Sequence, residues 1–168
     1  MIPLTVYIFL LIELIAVAYV DILHRKISNY WIIVNILTFI TLLVISPQAY
    51  QLSISTFFYS FVFLIMGFIL FLLNVMGGGD SKFLFSLYLL IPVSLQESAF
   101  LNLIYSTLFI GGILFLTNIA RNWKQIIFAI KYKDMGTLKI VIGRKFAFSP
   151  VILVAWIVFG WENYKYFF

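Results

Sequence analysis

The sequence has no cysteine and a single histidine, His24. The first absence excludes disulfides, thiolate metal sites and a cysteine nucleophile. The second leaves His24 without a His or Cys partner, so no metal site is expected. Charge is scarce too: Asp, Glu, Lys and Arg make up 10% of 168 residues, against about 25% in a soluble domain. That excludes a disordered chain, a nucleic-acid-binding arm and an ordinary water-soluble enzyme. Only six acids are present, so little chemistry is available and each acid has to be weighed.

What is abundant is apolar. Hydrophobic residues are 64% of the chain and mean hydropathy is +1.13. The polar residues cannot cover a surface of this size in water, so lipid has to be the solvent. The net charge of +5 then reads as basic loops beside membrane spans, with no nucleic-acid partner.

Six apolar runs recur between short polar breaks: roughly Ile2 to Val20, Tyr30 to Ile45, Phe57 to Val75, the stretch after Lys82 to about Leu95, Phe100 to Ala120 and Phe146 to Trp161. The first lacks a basic leader region and a small-residue cleavage site, so it is expected to be a retained span. The fourth is short and contains Pro92, which suggests a tilted or kinked span. The expected fold is an all-α membrane protein of six transmembrane helices, a single domain over residues 1–168. Runs so uniformly apolar do not separate lipid-facing from buried sides.

Ten of the eleven basic residues fall in the first, third and fifth breaks, and the other, Lys165, in the C-terminal tail. The positive-inside rule puts these breaks in the cytoplasm and both termini on the extracytoplasmic side. The fifth break, residues 121–145, is a basic cytoplasmic loop. Its Trp123, Ile126, Ile127 and Ile130 share a helical face, which suggests an interfacial helix on an anionic leaflet. Gly136 and Gly143 bracket Lys139 to Ile142, which suits a short extended piece.

Asp21 ends the first run and Asp80 opens the fourth, behind Gly77, Gly78 and Gly79. Two crossings separate them, so both return to one face at similar depth. Either acid alone has an ordinary explanation, Asp80 as an N-cap and Asp21 as a solvated end-of-span charge. Together they suit an aspartic dyad, in which one carboxylate activates water and the other donates a hydrogen bond to the scissile carbonyl. Glycine permits unusual dihedrals and close approach of a substrate strand. Helix polarity suggests Asp80 as base, at a helix N-terminus near Lys82, and Asp21 as acid, at a helix C-terminus. Glu13 lies mid-span, where a charge is costly; it is expected protonated or paired, with Asn35 or Asn74 as partner. Asn29 is read as the N-cap of the second helix. Lys82 and Arg25 are read as site-shaping groups or as membrane anchors.

Asp21, Arg25, Ile27 and Asn29 form a D-x-x-x-R-x-I-x-N pattern that resembles the first signature of the type IV prepilin peptidases. Gly77-x-Gly79-Asp80-x-Lys82 resembles their second, GxGDxK, and Phe146 to Pro150 is similar to their last recognisable segment. The resemblance implies that both aspartates are catalytic and that the substrate is a prepilin, cleaved at its basic leader at the cytoplasmic face of the bacterial inner membrane. Many members have Pro where this chain has Ser28. Larger members carry a cysteine-bearing cytoplasmic domain and methylate the new N-terminus. This chain resembles the short, peptidase-only branch serving Flp pili, for which no cofactor and no methyl transfer are expected. A presenilin-like protease also uses GxGD, but with a Tyr before the first aspartate and a Pro-Ala-Leu motif, both absent here. A six-span transporter or assembly subunit is the non-enzymatic alternative.

Overall fold

A computed structural model describes residues 4–72, 77–132, 136 and 148–166. Among them every regular element is helical: α1 Leu4–His24, α2 Asn29–Ile45, α3 Ile54–Leu72, α4 Gly78–Leu89, α5 Val93–Arg121, α6 Trp123–Lys131, α7 Ser149–Glu162, and a closing 3-10 turn at Tyr164–Tyr166. The six apolar runs become α1 to α5 and α7, in order. By length and composition α1 and α5 are long and apolar enough to cross a membrane, and α2, α7 and residues 54–69 of α3 are shorter apolar helices.

The helices pack mainly as two groups. In one, α1 and α5 lie on α7; in the other, α2 and α3 lie on α4. Small residues allow the closest approaches. Gly67 of α3 lies against Ser81 of α4, and Gly160 of α7 against the Tyr7 hydroxyl of α1, where a side chain would have no room. Trp156 stacks on Tyr7 with ring centroids 5.3 Å apart. α1 shows how an apolar helix divides: Val6, Leu10, Glu13, Leu14, Val17, Ala18 and Asp21 are buried at three- and four-residue spacing, while Ile8, Ile12, Ile15, Tyr19 and Ile22 are exposed. Both faces are apolar because one meets protein and the other suits lipid, so hydropathy alone does not tell them apart.

The fourth run differs from its expectation. α4 stops at Leu89, and Pro92 is the N-cap of α5, not a kink within a span. Proline disfavours the helical conformation in the residue before it and offers no N–H, so the chain turns at residues 90–92. The expected break at Gln96 is helical. Gln96 is buried, and its amide nitrogen donates to the carbonyls of Thr56, Tyr88 and Ile91, capping the end of α4. A helix, α6, occupies the stretch expected to form an interfacial helix. Its Ile126 and Ala129 are buried, whereas Trp123, Ile127 and Phe128 are exposed. The extended piece at 139–142, Asn74, Val75, Phe146 and the later basic residues of the fifth break lie outside the described residues.

Candidate active site

α1 continues one turn past its expected end, so Asp21 sits inside the helix. Arg25 closes it with φ 51°, and the Arg25 N–H donates to the Asp21 carbonyl at 2.8 Å. A left-handed residue just past a helix is ordinarily glycine; in arginine this conformation costs about 1 kcal/mol or more. It turns the chain so that Ile27 drops into the core. Ser28 is the N-cap of α2, with φ −73°, and its Oγ accepts the Tyr30 N–H at 3.3 Å. Asn29 is therefore the first helical residue and not the cap. The Ser28 dihedral also lies within the range proline adopts, so this backbone would accept proline.

The second motif packs against the first. A Cβ on Gly79 would lie 3.1 Å from the Ile27 carbonyl oxygen, whereas one on Gly78 would make ordinary contact with the Phe71 ring at 3.6 Å. Among the described residues no glycine has a positive φ. The motif thus uses glycine for close approach, not for unusual dihedrals. Gly77 caps α4 and Asp80 is its third helical residue, where Oδ2 accepts the Gly77 N–H at 3.0 Å. Asp80 is not the N-cap; its carboxylate reaches back to the cap, as the acid of a capping box does.

Asp21 is held from far along the chain. Its Oδ2 accepts two hydrogen bonds from Ser149, from the backbone N–H at 3.1 Å and from Oγ at 2.8 Å. Ser149 opens α7, so Asp21 caps a second helix with its carboxylate. Asp21 is 3% exposed, Asp80 8% and Ser149 0%. At one end of the bundle the C-terminal turn of α1 therefore meets the N-terminal turn of α7, and the segment that follows α1 meets the N-terminal turn of α4. Because both carboxylates stand at helix N-termini, helix polarity no longer divides base from acid. The sequence reading missed Ser149; the available signal was a serine followed by Pro150 at a helix start.

The remaining candidates lie outside this contact. Lys82, Arg25 and Asn29 are exposed. Glu13 is buried and faces the Asn35 side chain, yet neither carboxyl oxygen makes a hydrogen bond of good geometry. The Asn35 amide donates to Ser86 Oγ at 3.2 Å, so polar groups of α1, α2 and α4 gather inside the bundle. Among the described residues no three His, Cys, Asp or Glu side chains gather to hold a metal ion. A cavity of about 360 Å³ beside Gln48, Gln51, Ser53 and Pro92 lies at the opposite end and contains no titratable side chain.

A helical, membrane-type fold with two buried aspartates at the helix ends of one face defines the class. The chain belongs to the type IV leader peptidase family, whose model matches residues 8–116, a span that includes both aspartates and excludes α7. By family it is a peptidase. Searches of the curated proteins and of the solved structures give no match.

Proposed function

We propose that the protein is a multi-pass membrane aspartic endopeptidase that removes the basic leader of a Flp-like prepilin at the cytoplasmic face of the bacterial inner membrane. The reading takes α1 to α5 and α7 as six spans with both termini extracytoplasmic. One observation carries it: the segments bearing Asp21 and Asp80 pack together at Ile27 and Gly79, with both aspartates buried. In the proposed reaction the ionised carboxylate takes a proton from water as the water oxygen bonds to the scissile carbonyl carbon. The protonated carboxyl gives its proton to the carbonyl oxygen. Collapse of the tetrahedral intermediate breaks the C–N bond, and the amine nitrogen leaves with a proton. Two acids sharing this work titrate as a pair, so the roles of base and acid belong to the dyad.

The test is co-expression with Flp-type prepilins, following loss of the leader by gel shift for wild type, Asp21→Asn and Asp80→Asn. Cleavage by wild type alone supports the dyad. Cleavage that survives either substitution removes that aspartate from the mechanism. No cleavage by any form, across several prepilins, favours a transporter or assembly subunit.

A further inference from the structure

We propose that Ser149 is a positioning residue for Asp21, so that α7 completes the active site from outside the family-matched segment. The inference rests on reading Asp21 as one of the two reacting carboxylates. Two donors of one residue converge on a single oxygen, Oδ2, across 128 positions of sequence. Both are buried, and Pro150 follows at the start of the helix. The first N–H groups of a helix have no partner within it, and the Ser149 hydroxyl is turned onto the same acceptor. With Oδ2 held twice, rotation of the carboxyl group is blocked. Oδ1 is left as the oxygen that meets water or the scissile carbonyl.

The competing account makes Ser149 a strut between α1 and α7. These helices already meet through the Tyr7–Trp156 stack, the Trp156 Nε1 bond to the Tyr7 carbonyl and the close contact at Gly160. A strut would therefore be redundant for packing, whereas carboxyl orientation has no second source on α7. Misplacing a reacting group by about 1 Å costs up to about 10²-fold in rate.

The experiment uses the full chain with a cleavable prepilin and compares wild type, Ser149→Ala and Ser149→Thr. Ser149→Ala is expected to lower kcat by about 10- to 100-fold with KM and thermal stability little changed. Ser149→Thr, which keeps the hydroxyl, is expected to recover most of the rate. A second readout needs no substrate: carbodiimide labelling of Asp21, followed by mass spectrometry, should rise several-fold in Ser149→Ala and stay near wild type in Ser149→Thr. An unchanged kcat in Ser149→Ala overturns the proposal. So does a loss of rate that tracks a loss of stability and is not rescued by threonine. Should wild type cleave no prepilin, the functional reading fails instead, and Asp21 labelling that is equal in all three forms then overturns the role of Ser149.

Discussion

The two helix groups hold their aspartates by opposite means. In the α2–α3–α4 group, Asp80 is fixed within its own turn by the Gly77 N–H. In the α1–α5–α7 group, Asp21 is fixed by the first residue of the last apolar helix. The first arrangement forms as soon as α4 forms; the second exists only once α7 has docked on α1. The difference teaches that two acids of one candidate site can draw hydrogen bonds over very different separations, three positions for Asp80 and 128 for Asp21. Near the site the halves touch at the Ile27–Gly79 contact, on the chain segment that joins α1 to α2.

The largest effect should erase the comparison. If the dyad reading holds, Asp21→Asn and Asp80→Asn each lower leader cleavage by at least about 10³-fold, despite their different supports. A single-turnover assay on purified protein measures both. A survivor on either side would show that only one half carries the chemistry.

Next in size is the contact between the halves. Gly79→Ala forces a Cβ toward the Ile27 carbonyl, so the loop must shift. Overpacking of this kind costs about 1–3 kcal/mol, and cleavage should fall by roughly 10- to 100-fold with the displacement. Gly78→Ala has ordinary space against Phe71, and alanine outranks glycine in a helix by about 1 kcal/mol, so stability should hold or rise with activity intact. Thermal melts alongside cleavage rates separate the two variants. Equal behaviour would remove close approach as the reason for the glycine.

This pair also marks what was legible in the sequence. Runs of apolar residues gave six helices in order, because helix formation in an apolar setting follows from length and hydropathy alone. GxGD was readable because Asp80 and Gly77 are three residues apart and their bond is local. The duty of Gly79 was not, since it depends on Ile27 in another element. Ser149 was hidden for the same reason at greater distance, and with it went the basis for assigning acid and base by helix polarity. Pro92 was misplaced because a short apolar helix followed by a long one has nearly the same hydropathy as a kinked span.

A smaller effect is expected deeper in the bundle, where Glu13 of α1 faces Asn35 of α2 across the two groups. Glu13→Gln keeps the shape and a polar head, and cleavage should stay within about twofold. Glu13→Leu removes two buried carboxyl oxygens that make no hydrogen bond of good geometry; an unsatisfied buried polar group costs about 1–3 kcal/mol, so stability should hold or rise. Melting temperature is the measurement, and a fall in cleavage by Glu13→Gln without a fall in stability would instead give Glu13 a direct part in the chemistry.

The smallest effect belongs to the far end, where Tyr50 of the α2–α3 loop donates to the Leu90 carbonyl at 2.9 Å. This bond ties the α2–α3 side to the turn that leads into α5. Tyr50→Phe removes it and should cost about 1 kcal/mol near neutral pH, with cleavage unchanged because the site is at the other end. Burial raises the Tyr50 hydroxyl above its ordinary value of 10.0. The folded state therefore keeps its proton at a pH where the unfolded chain has lost it. The tyrosine's contribution is complete below about pH 10 and declines above it, by about 1.4 kcal/mol per pH unit. Wild type should be the more stable form at pH 8, and the two curves should cross between about pH 10 and pH 11, beyond which Tyr50→Phe is the more stable. Other tyrosines cancel in the difference between the two proteins. A gap that stays constant with pH would mean that Tyr50 is solvated in the folded state, and that the α2–α3 loop meets the end of α4 without its hydrogen bond.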